Sequence, residues 1–231
     1  MKANRFFTTA IFSIIGVLAA AQPWMMRPQG PANEFSAMEG TSVLNYNLQR
    51  ERDIHSRAGY GPAFYIFPDS KLDNNQALEL AEKLDLVNII KEYGGRIMVV
   101  NPSSDKWQEQ DLENFRRLIG MGGSPTNVKV IGIGSGATFV NRHLAATDLT
   151  GVIAGIVSID GEPGKICKLP VPAFIGGKNA TKTAKPYQST SDAAPADPLQ
   201  KVVVNTDKKA SLETLFAEAW DKVLSENYRY N

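Results

Sequence analysis

Cysteine and histidine are scarce in this sequence. It has one cysteine, Cys167, and two histidines, His55 and His143, among 231 residues. A lone cysteine cannot form an internal disulfide bond, so a folded domain must be stabilised by its hydrophobic core. The few sulfur and imidazole groups also lack the spacing of metal ligands. We therefore predict neither a metal site nor a cofactor.

An excess of charge of either sign is also missing. Lysine and arginine number 25 against 24 aspartate and glutamate residues. This balance gives no reason to expect a nucleic acid partner or attraction to an anionic membrane surface. Hydrophobic residues make up 43% of the chain and charged residues 21%, which is typical of a folded globular protein.

The N-terminus has the pattern of an export signal. Lys2 and Arg5 precede an apolar run over residues 6–18, and Ala19 to Ala21 provide the small side chains of a cleavage site. We predict a signal peptide over residues 1–21 and a secreted or periplasmic mature protein. A membrane anchor is the alternative, but the run is shorter than the roughly 20 residues of a span, so no stable span is expected after cleavage.

The rest of the chain is predicted to consist of a flexible leader over residues 22–40 and one domain over residues 41–231. Short apolar runs alternate with amphipathic segments, which indicates an α/β fold: a three-layer sandwich with a mostly parallel sheet and a ligand site at the carboxyl ends of its strands. Strands are predicted over residues 63–67, 96–100, 127–133, 152–159, 172–175 and 201–204, and edge strands within residues 41–54. Helices are predicted over residues 75–93, 107–119, 137–146 and 211–225. A long surface loop is predicted over residues 178–198.

Three alternating glycines, Gly132, Gly134 and Gly136, join a buried strand directly to a helix. One chemistry that uses such a turn is dinucleotide binding, in which the backbone approaches a pyrophosphate and an acid, here Asp160, follows the next strand. The other is the nucleophile elbow, in which the central residue attacks the substrate and its neighbours must be small.

The order of these segments resembles that of secreted esterases of the α/β-hydrolase superfamily, of the polyhydroxybutyrate depolymerase and feruloyl esterase type, over roughly residues 62 to 180. The similar pieces are the strand over residues 64–67, the helix and strand over residues 87–102, the glycine-rich turn, and the strands over residues 153–161 and 171–177. The resemblance implies an α/β-hydrolase fold with a serine, an acid and a histidine as its catalytic set.

The chain departs from that pattern at each of these catalytic positions. The nucleophile position falls on Gly134, and Ser135 stands one residue later. Pro68 and Asp69 occupy the place of the family's oxyanion-hole His-Gly, where the aspartate would repel a developing oxyanion. Lys178 and Asn179 stand where the acid is expected, and no histidine follows.

We therefore interpret the sequence as an exported hydrolase-like protein with an incomplete triad. Its partner would be a small molecule, or a saccharide or ester ligand, bound by Gly134, Gly136, Asp69, Asp160 and Asn179. The first alternative is an active serine esterase that acts on carbohydrate- or polymer-linked esters through Ser135 as the catalytic residue. The second alternative is a dinucleotide-binding domain.

Overall fold

A computed structural model describes residues 35–38, 41–46, 62–93, 95–121, 127–149, 151–193 and 201–225. The predicted signal peptide and residues 22–34 of the predicted leader lie outside the described residues. Within the described ranges, no helix combines the length and the apolar character that a membrane crossing requires.

The described residues form an eight-stranded sheet. Strands β3 to β8 run parallel to one another, whereas β1 and β2 pair antiparallel with each other and β2 pairs antiparallel with β4. The spatial order is β1-β2-β4-β3-β5-β6-β7-β8. The strands are β1 (Phe35–Met38), β2 (Thr41–Tyr46), β3 (Ala63–Phe67), β4 (Arg96–Val100), β5 (Val128–Ile133), β6 (Ile153–Ile159), β7 (Ala173–Gly176) and β8 (Val202–Asn205).

Helices cover both faces of this sheet. They are α1 (Asn74–Lys83), α2 (Leu86–Tyr93), α3 (Gln110–Met121), α4 (Ser135–Phe139, continued as a π-helix over Val140–Leu144), α5 (Ala180–Ala193) and α6 (Leu212–Ala219, continued as a π-helix over Trp220–Leu224). The α3, α4 and α5 helices bury side chains in one core, and α1, α2 and α6 bury theirs in a second core across the sheet. The predicted three-layer sandwich is confirmed.

Strand β3 shows why the sheet requires two cores. All five of its residues are buried, and successive side chains of a strand point to opposite faces. Tyr65 and Phe67 belong to the core of α3, α4 and α5, whereas Phe64 and Ile66 belong to the other. This arrangement explains the continuous apolar run in the sequence, which is typical of a parallel strand covered on both sides.

The predicted surface loop over residues 178–198 is wrong for most of its length, because α5 occupies Ala180–Ala193. The helix buries a narrow stripe of mostly small side chains, namely Ala180, Thr183, Ala184 and Tyr187. Their spacing is helical, but alanine and threonine give little hydrophobic signal, and Pro186 lies inside the helix. The composition therefore suggested a loop.

Two other boundaries differ from the predictions. The single helix expected over residues 75–93 is two helices, because Asp85 between them adopts a left-handed conformation with φ of 55°. The sheet also begins within the predicted leader, since β1 covers Phe35–Met38. Pairing of β1 with β2 is the physical reason, and a strand of only four residues carries little periodic signal.

Candidate functional site

The glycine-rich turn lies between β5 and α4, at the carboxyl edge of the sheet. Gly134 has φ of 56° and ψ of −117°, and its N–H donates to the carbonyl oxygen of Ile159 at 2.9 Å. A strand-to-helix turn of this kind carries the nucleophile in α/β-hydrolases. The structure thus places a residue without a side chain at the centre of the elbow.

The two flanking glycines are required by close packing. A Cβ at Gly132 would lie 2.6 Å from Ala137 Cα, and a Cβ at Gly136 would lie 2.5 Å from the carbonyl oxygen of Pro68. Both distances are shorter than real Cβ contacts. The turn therefore brings the start of α4 directly against the end of β3, which positions the Pro68–Asp69 peptide beside the elbow.

The carboxylate of Asp69 lies where the side chain of residue 134 would project. A Cβ at Gly134 would lie less than 3.0 Å from Asp69 Oδ1 and 2.9 Å from Asp69 Cβ. Asp69 Oδ1 accepts a hydrogen bond from the N–H of Ser135 at 2.6 Å, and Ser135 Oγ donates to the carbonyl oxygen of Asp69. In an active elbow the N–H after the nucleophile belongs to the oxyanion hole. Here an internal anion occupies that donor.

An aromatic group lies next to Asp69. Trp107 Nε1 donates to the carbonyl oxygen of Pro68 at 2.9 Å, which fixes the indole beside the loop that follows β3. Trp107 stacks on Phe139, with centroids 4.8 Å apart and planes at 25°. His143 lies 5.5 Å from Phe139. Trp107 and His143 are half-buried, whereas Phe139 is buried.

Asp160 follows β6 at the same edge of the sheet. It has φ of 57°, and its Oδ1 accepts the N–H of Lys178 at 2.9 Å. Gly177, with φ of 96°, allows this contact, because a Cβ there would lie 2.8 Å from the carboxyl carbon of Asp160. The carboxylate of Asp160 thus ties the end of β6 to the residues after β7.

A hydrogen-bond network attaches the segment after Asp160 to α4 and α5. Asn179 Nδ2 donates to Glu162 Oε1 at 2.9 Å, and the N–H of Glu162 donates to Thr138 Oγ1 at 3.0 Å. Asn141 Nδ2 donates to the carbonyl oxygen of Glu162 at 2.9 Å, and Tyr187 Oη donates to Asn141 Oδ1 at 2.9 Å. Burial raises the pKa of Tyr187 well above its usual value, so the hydroxyl remains a donor.

Among the described residues, no histidine lies in the segments that directly follow β7 and β8. Lys178 and Asn179 follow β7, and residues 206–211 follow β8 with the sequence TDKKAS. In this second segment Asp207 Oδ1 accepts the N–H of Lys209 at 2.8 Å. His143 belongs to the aromatic group, and His55 lies outside the described residues. The described residues also contain no group of three or more metal-ligating side chains.

The structure brings the residues named from the sequence to one edge, though not into one network. Asp69 contacts Ser135 directly, Gly134 and Gly136 pack against the loop of Asp69, and Asp160 follows the strand that accepts the Gly134 N–H. Asn179 joins the edge through Glu162. Sequence reasoning missed the contact between Trp107 and Pro68, because a tryptophan at core spacing gives no signal for a side chain at the rim of a site.

Comparison with solved structures identifies the fold. A carboxylesterase from Bacillus cereus matches with a TM-score of 0.51 and 13% identity, over 79% of this chain and 94% of that chain. MGS-M1, an α/β hydrolase enzyme from a Medee basin deep-sea metagenome library, matches with a TM-score of 0.50 and 14% identity, over 68% of this chain and 74% of that chain. No protein-family model and no curated protein matches the sequence. The chain has the α/β-hydrolase fold, as the resemblance implied.

Proposed function

We propose that this chain is an exported protein that uses an α/β-hydrolase fold to bind a ligand at the carboxyl edge of its sheet and does not hydrolyse esters through a serine triad. The proposal combines the shared fold with the local chemistry of the elbow. Fold by itself decides no activity, since active and inactive sites occur on the same scaffold.

The observation that carries the proposal is the contact between the elbow and Asp69. Gly134 offers no atom that could attack a carbonyl carbon, and the Ser135 N–H is bonded to Asp69 Oδ1 at 2.6 Å. A substrate carbonyl at that N–H would have to displace a carboxylate, and its developing negative charge would meet the charge of Asp69. Electrostatic stabilisation of the oxyanion is usually the largest contribution to such catalysis, and this site opposes it.

The remaining triad positions support the same conclusion. A serine hydroxyl needs a base within hydrogen-bond reach to attack at neutral pH, and the segments after β7 and β8 offer lysine, asparagine and aspartate instead. The contacts of His143 are with the ring of Phe139. These positions suggest an incomplete triad.

An esterase acting through Ser135 is less well supported. Its hydroxyl already donates to the carbonyl oxygen of Asp69, so the proton that a base would remove is engaged elsewhere. The dinucleotide alternative is not favoured either, because the strand order and the structural neighbours are those of α/β hydrolases.

Export is proposed from the sequence of the first 21 residues. The basic start, the apolar run and the three alanines support cleavage after Ala21. Expression of the full chain with mass analysis of the product tests this. A periplasmic or secreted product that begins at Gln22 is expected, and an uncleaved product in the membrane fraction would contradict the proposal.

The catalytic part of the proposal is tested with the mature chain and its Ser135→Ala variant. Both are assayed with p-nitrophenyl esters of increasing acyl length and with a fluorophosphonate probe, with an active carboxylesterase as the positive control. We expect the two chains to give the same background rate and no covalent label. Turnover or labelling that disappears in Ser135→Ala would refute the proposal and favour the esterase.

A further inference from the structure

Four hydrogen-bond donors at the sheet edge are already engaged. The Ser135 N–H and Oγ–H both donate to Asp69, and the Lys178 N–H donates to Asp160. The side-chain amide of Asn179 donates to Glu162. An oxyanion hole ordinarily offers donors to an incoming oxygen, whereas these donors are bonded within the protein.

Several acceptors remain open at this edge. Asp69 is exposed, and its Oδ2 has no hydrogen-bond partner among the described residues. The hydrogen bond from Ser135 to Oδ1 holds this carboxylate in one orientation, and a carboxylate oxygen accepts strong hydrogen bonds from O–H and N–H groups. Asp160 and Glu162 are exposed as well. A ligand that binds these acceptors must supply donors, which carbonyl and carboxylate oxygens cannot do.

A partly exposed tryptophan lies beside these acceptors. Trp107 is fixed by the Pro68 carbonyl, one residue from Asp69, and its indole contacts the rings of Phe67 and Phe139. The residue is half-buried, so part of it is open to solvent. An aromatic surface next to a polar acceptor suits a ligand that is apolar on one face and carries polar hydrogens at its edge.

The charges near the edge favour a neutral ligand over a cation. Two exposed lysines stand near the acids: Lys71 is two residues from Asp69 in the chain, and the backbone N–H of Lys178 donates to Asp160. The two lysines reduce the net negative charge of this edge. A neutral hydroxyl needs no net negative field, because its hydrogen bond to a carboxylate is itself charge-assisted.

On these grounds, and resting on the proposed function, the geometry points to a neutral saccharide as the ligand class. A pair of sugar hydroxyls would donate to Asp69 Oδ2, and the C–H face of the sugar ring would lie on Trp107. The Asp69 side chain thereby reverses the polarity of the oxyanion hole, from a site that receives an acceptor to one that receives a donor.

Asp69→Asn is the most informative variant, because the asparagine Oδ1 can still accept the Ser135 N–H while its Nδ2 replaces an acceptor by a donor. Asp221→Asn, at an exposed position on the π-helical end of α6, is the matched control. The mature chain and both variants are titrated calorimetrically with maltotetraose, cellotetraose and chitotetraose, and with tetragalacturonate and spermidine as the anionic and cationic counterparts. Circular dichroism melting curves establish that the variants are folded.

We expect at least one neutral tetrasaccharide to bind, Asp69→Asn to weaken that binding by about tenfold or more, and Asp221→Asn to leave it unchanged. Binding should also change the tryptophan emission of the wild-type chain, and Trp107→Phe should remove that change. The inference is overturned if no neutral saccharide binds at millimolar concentration, if tetragalacturonate or spermidine binds more tightly, or if Asp69→Asn binds as well as the wild type. The proposed function fails separately, through ester turnover that depends on Ser135.

Discussion

Substitution of Gly134 by alanine would test the geometry of the elbow directly. The new Cβ would be forced into a backbone with φ of 56° and ψ of −117°, and it would lie 2.5 Å from Asp69 Cγ. A strained backbone of this kind costs about 1–3 kcal/mol for a residue other than glycine, and the overlap with the carboxylate adds to it. We expect Gly134→Ala to lower the free energy of unfolding by about 2–4 kcal/mol.

A double-mutant cycle separates the strain from the overlap. In Asp69→Gly the carboxylate is gone, so Gly134→Ala should cost less in that background by about 1 kcal/mol or more. Glycine is preferred to alanine at position 69 because the Cβ of Asp69 would itself lie 2.9 Å from the new Cβ. The four chains are compared by urea unfolding followed by circular dichroism, with equal m-values as the check that the denatured states are comparable.

Two results would refute this reasoning. If Gly134→Ala unfolds at the wild-type midpoint, residue 134 does not hold the strained conformation. If the two substitutions are additive, the carboxylate of Asp69 does not occupy the space of the missing side chain, and the main support for the proposed function is lost. Asp207→Gly, at an exposed position after β8, is the control: it makes the same aspartate-to-glycine change at a position distant in the chain from the elbow.

Three further predictions concern groups away from the elbow. Tyr187→Phe removes the hydrogen bond to Asn141 and should lower the free energy of unfolding by about 1–2 kcal/mol. Because burial raises the pKa of Tyr187, the stability of the wild type should also fall above about pH 10. The stability of the variant should fall less over the same range. The hydrogen bond from Lys222 lowers the pKa of Glu218. The stability that the Glu218 carboxylate contributes should therefore be present above the unfolded carboxyl pKa of about 4.3, be lost as the pH falls further, and be absent in Glu218→Gln. Acid titration of both chains, followed by fluorescence, checks this. Burial raises the pKa of Cys167, so Ellman's reagent should react quickly only in denaturant, and rapid reaction of the native chain would contradict this.

Periodicity predicted the parts of the fold that bury large side chains. Strands β3 to β7 and most of the helices lie within a few residues of their predicted positions, because runs of branched and aromatic residues have few alternatives to burial in a sheet. The α5 helix was missed since its buried stripe consists mostly of small side chains, and β1 was missed since a strand of four residues gives little periodic signal. The break at Asp85 depends on a single left-handed residue, which side-chain periodicity does not report.

The candidate site could be predicted only in part from the sequence. Its members could be named, because acids and glycines that follow parallel strands converge at one edge of the sheet. The bond from the Ser135 N–H to Asp69 could not be predicted, since it joins residues 66 positions apart and depends on how far α4 approaches β3. The same holds for Trp107, whose position is set by one backbone carbonyl.

Two of the three elbow glycines are required by the packing of the fold, whereas the third occupies the position that matters for catalysis. Gly132 and Gly136 leave no room for a Cβ, because Ala137 and the end of β3 lie too close, so any chain with this turn needs small residues there whether or not it is an enzyme. Residue 134 is different, because a side chain at that position projects towards the site, and here Asp69 fills that space. The carboxylate fits only while residue 134 lacks a Cβ, so under the proposed function the missing nucleophile and the occupied oxyanion donor are one coupled feature. Within this turn Gly132 and Gly136 therefore reflect the packing of the fold, whereas residue 134, considered together with Asp69, bears on activity.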